Sequence, residues 1–192
     1  MTHALSRNSA ATVRRAEPPE MGSPWRTILV PTDFSESADA ALTLAGRLAV
    51  LHGAKIILLH ASELKSGIER STLVHPDGRA DPVTAERFLR ASADDQLRAQ
   101  AARCIDAAHV ELLVELGRAD ECILRVAHDV GADVIVMGTH GRTGLAHLFL
   151  GSVTERIVRT SKVAVLTVRR PDATPHDLRT NAERALEDET VG

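Results

Sequence analysis

ADVIVMGTHGRTGLAHLFLGSVT, residues 132–154, decides the fold of this chain. A short apolar run, Val134-Ile135-Val136-Met137, stops at Gly138. A loop with Gly138, Gly141 and Gly144 follows, and Gly151-Ser152 then opens a segment with helical apolar spacing. A buried strand feeding a glycine-rich loop and a helix start is a layout that holds phosphates. Glycine lets backbone approach an anion, and the unpaired N–H groups of a first helical turn point at it. Ser152 and Thr154 place hydroxyls at the same end. The spacing Gly138-x2-Gly141-x9-Gly151-Ser152 fits neither GxxxxGK[ST] nor GxGxxG. Two readings stand at this point: an anion cradle, or a tight turn whose glycines only relieve backbone strain.

Outward from this stretch, four more apolar runs alternate with helical patterns. Residues 25–30 form a first strand closed by Pro31, and Thr32-Asp33-Phe34-Ser35 is a polar turn. Ala38, Ala41, Leu42, Ala45, Leu48 and Ala49 then line one helical face, with Ser35 or Ser37 as cap and Gly53 just past the end. A second strand covers 55–60, a long helix runs from 84 to about 108, and a third strand covers 110–116. A helix over 119–130, the quoted stretch, a helix from 152 to about 160 and a strand over 163–168 complete the pattern. Strict alternation with nearly continuous apolar strands predicts an α/β fold, a parallel sheet with helices on both faces. If the strand order is 3-2-1-4-5, ligands bind where that order reverses, between strands one and four. The turn at Pro31-Thr32-Asp33 would then face Met137-Gly138.

With 192 residues, the chain suits one domain plus tails. Residues 1–24 and the acidic 170–192 read as disordered arms around a domain at 25–169, and 62–82 as a flexible insertion, a mobile flap or disordered. One Trp, three Phe and no Tyr leave no stacking platform, and a net charge of −3 gives no basic field, so nucleic acid is an unfavoured ligand. No apolar run approaches a membrane span, the N-terminal arm lacks a secretory apolar region, and Cys104 and Cys122 make no CxxC. These features point to a cytoplasmic protein with reduced thiols.

Ile28-Leu29-Val30-Pro31-Thr32-Asp33-Phe34-Ser35, together with 132–144 and the Gly138/Gly141/Gly151-Ser152 spacing, resembles the universal stress protein family over about residues 26–169. The resemblance implies an open doubly wound five-stranded parallel sheet of order 3-2-1-4-5, adenine nucleotide α-hydrolase-like. It also implies a homodimer through the last strand (Val163, Val165, Leu166 and Val168) and membership of the ATP-binding branch. Carried over by position, Pro31, Thr32 and Asp33 lie beside the adenosine, Ala61 borders the adenine and Met137 packs on the base. Gly138, His140, Gly141, Gly151 and Ser152 surround ribose and phosphates, with Arg142, Val153 and Thr154 completing the expected site. Where many relatives have a proline before the last strand, this chain reads Ser161-Lys162-Val163-Ala164.

Individual residues keep two readings. Asp33 is either a helix cap or an acceptor for adenosine, Ser152 a phosphate donor or an N-cap, and Arg142 a phosphate clamp or a surface ion pair. His140 and His147 lack a carboxylate or Cys at ligand spacing, so no protein metal site is expected. Any Mg2+ would ride on the phosphates of ATP. Binding groups outnumber the groups hydrolysis needs, such as a Walker lysine or an acid near the γ-phosphate. The expectation is an ATP-dependent stress-response or signalling module, with at most weak ATP hydrolysis and an unidentified protein partner left open. The alternatives are a slow ATPase of the same fold and a structural dimer without nucleotide.

Overall fold

The computed structural model describes residues 25–76, 81–105, 109–139 and 151–169. Five parallel strands form one sheet: β1 (Thr27–Pro31), β2 (Lys55–Ser62), β5 (Val110–Leu116), β6 (Val134–Gly138) and β7 (Ala164–Val168). A separate antiparallel pair is made by β3 (Leu73–Val74) and β4 (Val83–Thr84). Among the described residues there are four helices: α1 (Glu36–His52), α2 (Ala85–Cys104), α3 (Ala119–Asp129) and α4 (Ser152–Thr160).

The large sheet runs β5-β2-β1-β6-β7, which is the expected 3-2-1-4-5 order once the two short strands are set aside. Ile28 pairs with Ile56 on one side and Val134 on the other, so β1 is central. The central strands β1 and β6 and most of β2 are apolar on both faces because both are covered. Ile28, Val30, Ile56, Leu58, Val134 and Val136 pack against Ala41, Leu42, Ala45 and Ala49 of α1 and Leu97 of α2. The alternate residues Leu29, Ile57, Leu59, Ile135 and Met137 pack against Ile123, Val126 and Ala127 of α3 and Ile157 of α4. Each fully buried Leu or Ile stabilises by about 1.5–3 kcal/mol, so the two layers dominate the fold's energetics. The alanine stripe of α1 brings that helix close to the sheet, which matters for Gly138 below.

Local chemistry sets the boundaries. The Ser35 side chain accepts from the Ala38 N–H at 3.3 Å and starts α1; Gly53, at φ 64°, ends it. Asp133 fixes the other end of the central pair, its carboxylate accepting from the Arg26 and Thr27 N–H groups at 2.7 and 2.9 Å.

Several expectations need correction. β2 continues two residues past 60, α2 closes at Cys104 rather than near 108, α3 ends one residue before 130, and β7 starts at Ala164. Regular structure also occurs inside 62–82, where none is expected: Leu73 and Val74 pair with Thr84 and Val83. Moreover, the Ala85 and Glu86 N–H groups donate to the Thr72 and Arg70 carbonyls at 2.7 and 3.1 Å. This segment thus satisfies first-turn donors of α2, a job too local and too short to leave a hydrophobic period. The expected arms at 1–24 and 170–192 lie outside the described residues. Among the described residues no helix is long and apolar enough to cross a membrane.

Candidate functional site

Beyond the C-terminal ends of β1, β2 and β6 lies a cleft, at the point where strand order reverses from β1 towards β2 on one side and β6 on the other. Pro31, Thr32, Asp33, Ala61, Met137, Gly138, Gly151, Ser152, Val153 and Thr154 all line it. These residues come from four separate stretches of chain. His140, Gly141 and Arg142 lie outside the described residues. The structure adds Ser35, Ser37 and Ala38 at the start of α1, His60 at the end of β2, and Ala119 and Ile123 of α3.

Three helices begin at the cleft, α1, α3 and α4, and they begin differently. α3 starts at Ala119, where Arg118 is the N-cap residue and makes no side-chain cap bond. α1 is closed by Ser35. α4 has Gly151 as its N-cap residue, and no side chain caps it among the described residues. Its first carbonyl-bound amide is that of Glu155, which donates to the Gly151 carbonyl at 2.8 Å. The Ser152, Val153 and Thr154 N–H groups therefore sit in the first turn of α4, without a helical acceptor, where the macrodipole adds positive potential. Ser152 is the first helical residue rather than the cap, so its N-cap reading is removed.

The hydroxyls are divided between structure and cleft. Thr154 is buried, and its Oγ1 donates to the Gly138 carbonyl at 2.9 Å. That proton ties α4 to the end of β6. Thr32 Oγ1 donates to Gln100 Oε1 at 2.9 Å and accepts from the Phe34 N–H at 2.9 Å. The Thr32 side chain is therefore occupied internally. Asp33 Oδ1 accepts from the Ser35 N–H at 3.1 Å, a local turn bond rather than a bond to a helical residue.

His60 is the site residue least visible in sequence, since it looks like the polar end of a strand. Its Nδ1 lies 2.8 Å from the Thr32 carbonyl, and its ring meets the Phe34 ring at 4.5 Å between centroids. A carbonyl only accepts, so Nδ1 carries the proton in this contact. Phe34 has φ 64°, an uncommon left-handed conformation for a bulky residue. The turn after β1 is thus shaped by its packing against β2.

On the far side of the cleft, Asp120 of α3 holds Arg118 at 3.1 Å and Arg156 of α4 at 2.8 Å. Hydrogen bonding to the Arg118 guanidinium holds the Asp120 carboxyl below its usual range. The Arg156 contact ties α4 to α3 near the start of both helices. Cys122 is buried and Cys104 partly so, and burial pushes both thiols up. Among the described residues no group of three or more His, Cys, Asp or Glu side chains comes together as a metal site.

Known proteins resemble this chain in sequence and fold. Residues 24–169 match the model of the Universal stress protein family. Universal stress protein MJ0577 of Methanocaldococcus jannaschii is 30% identical over 158 residues, covering 78% of this chain and 98% of that protein. Its solved structure aligns with TM-score 0.61 over 78% of this chain and 99% of the other. A universal stress protein from Thermus aquaticus is 33% identical over 146 residues, or 76% of this chain and 99% of that one. A universal stress protein solved in complex with cAMP is 25% identical, with TM-score 0.53, and covers 77% and 98% of the two chains.

Proposed function

This chain belongs to the universal stress protein family, and we propose that within it the protein is an ATP-binding module whose nucleotide state sets its conformation or its choice of protein partner. The observation that carries this reading is the start of α4, which no side chain caps among the described residues, on a cleft that also gathers Asp33, Ala61 and Met137. An anion belongs at the Ser152–Thr154 amides, and charge-assisted bonds to phosphate are the strong kind. The Asp33 carboxylate, at the end of β1, suits the donors of an adenosine, its ribose hydroxyls or its amino group. Met137 offers an apolar surface for the base. The relative in complex with cAMP supports an adenine nucleotide as the class of ligand. Mg2+ would be carried by the phosphate oxygens.

Turnover is expected to be slow at most, because the described part of the cleft supplies binding groups more plainly than groups that orient water at a γ-phosphate. Calorimetry with Mg-ATP, AMP and cAMP tests the reading, alongside chromatography of any ligand released when the purified protein is denatured. Heat and a raised melting temperature with ATP are expected. Absence of both at millimolar ATP would sink the proposal. A phosphate-release assay then separates a binder from an ATPase.

We also propose a homodimer through β7 (Ala164–Val168). The sheet has two edges, and they are not equivalent. At the β5 edge, Arg90 Nη1 donates to the Val114 carbonyl at 2.6 Å and blunts that side. The β7 edge carries Val165, Leu166 and Val168, a surface that a second copy can cover across a two-fold axis. Light scattering should give twice the chain mass, and charge placed at Val165 should weaken the association. A dimer that persists in the folded Val165→Asp protein would move the interface elsewhere.

A further inference from the structure

Gln100 is 1% exposed and lies on the apolar face of α2, where neighbouring positions are filled by Ala93 and Leu97. A buried amide among such neighbours is costly unless every bond is made, and a Met or Leu would pack there as well. Both ends of the amide are in fact committed. Oε1 accepts from the Thr32 hydroxyl at 2.9 Å, and Nε2 donates to Asp39 Oδ1 of α1 at 2.7 Å. Asp39 is itself held by Arg103 Nη2, at 2.8 and 2.7 Å to its two oxygens. The amide therefore has one orientation, with its oxygen aimed at Thr32.

Thr32 is the hub of the turn after β1. Its N–H donates to the Leu59 carbonyl at 2.8 Å, and its own carbonyl accepts from His60 Nδ1 at 2.8 Å. Because Gln100 takes the hydroxyl proton, Oγ1 presents a lone pair to the Phe34 N–H at 2.9 Å. That bond helps hold Phe34 at φ 64°, a conformation that persists in a bulky residue only where its surroundings enforce it. Asp33 lies between the two residues so fixed. Gln100 does not line the cleft, but the cleft's carboxylate is placed by a bond that Gln100 orients.

We propose that Gln100 is a positioning residue for nucleotide binding: from α2, through the Thr32 hydroxyl, it holds the Asp33 turn in the shape that receives the adenosine. The inference rests on the nucleotide reading above and extends it to a residue that touches no ligand. It also makes α2, whose first turn is satisfied by residues Arg70 and Thr72, an element whose placement bears on the cleft.

The test uses the full chain. Gln100→Met keeps length and removes both amide groups, while Thr32→Val removes only the hydroxyl. Leu97→Val, one turn away on the same buried face, perturbs packing without touching Thr32. Gln100→Met should weaken Mg-ATP binding on the order of tenfold, the size of one lost buried hydrogen bond. Leu97→Val should melt lower yet bind like the parent. The Thr32→Val/Gln100→Met pair should bind no more weakly than Thr32→Val alone, because both act through one hydroxyl. A folded Gln100→Met protein that binds within about twofold of the parent, or losses that add in the double variant, would overturn the proposal. Should Gln100→Met not fold, Thr32→Val carries the same expectation, and unchanged affinity there overturns it. If the parent itself binds no nucleotide, the functional reading fails first, and amide exchange then judges the positioning. The Phe34 amide should exchange faster in Gln100→Met and not in Leu97→Val; unchanged exchange sinks it.

Discussion

Gly138→Ala is expected to lower stability by about 1–3 kcal/mol, the range for overpacking a filled site. A Cβ at Gly138 would meet Ser37 Oγ at 2.6 Å, the Ser37 backbone carbon at 2.8 Å and Ser37 Cβ at 2.9 Å. The hydroxyl can turn away, but the backbone carbon cannot. The end of β6 or the first turn of α1 must therefore move, and both border the cleft. At this chain length each lost kcal/mol lowers the melting temperature by about 2–4 °C, so the shift is readily measured by calorimetry. Ser37→Ala placed on top of Gly138→Ala should recover only part of the loss, since it removes the Oγ contact and leaves the backbone one. If Gly138→Ala melts with the parent, or if Ser37→Ala restores it fully, the close approach of β6 to α1 is not what requires glycine here.

That contact shows how the sequence and the structure divide the work of explanation. The apolar runs of β1, β2 and β6 announce a covered parallel sheet, and the strand–glycine–helix pattern announces where its opening lies. Both signals are local, carried by neighbouring residues along the chain. The reasons for particular residues are long-range. Nothing near Gly138 in sequence indicates that Ser37, far upstream, fills the space a side chain would need. Thr32 and Gln100 are 68 positions apart, and Asp133 reaches Arg26 across 107. A threonine after a strand or in a first helical turn looks like a cap or a ligand donor until its hydroxyl is found bonded inside the protein, as those of Thr32 and Thr154 are. His60 escaped notice for the same reason, because only the fold brings it to Phe34 and Thr32. The short β3–β4 pair escaped because two-residue strands carry no period to read.

Gly151→Val is expected to stay folded and to lose about a hundredfold or more in affinity for ATP, equivalent to about 2.7 kcal/mol. Gly151 sits at φ −56° and ψ 145°, an extended conformation that any residue adopts, so the backbone does not require glycine there. Its N–H donates to the Thr139 carbonyl at 2.8 Å, and valine keeps that donor. Valine is a poorer N-cap than glycine, a loss of about 1 kcal/mol in stability at most. The change thus separates the two roles that glycine could have at a helix start. Its branched side chain would stand at the mouth of α4, beside the Ser152 and Val153 amides, where a phosphate must come close to backbone. Circular dichroism and calorimetry should show a folded protein with a slightly lower melting temperature, and titration with Mg-ATP should show the affinity gone. The two glycines then behave oppositely: Gly138→Ala costs stability first, whereas Gly151→Val costs binding first. A folded Gly151→Val protein that binds ATP as tightly as the parent would mean that the phosphates do not sit at the start of α4.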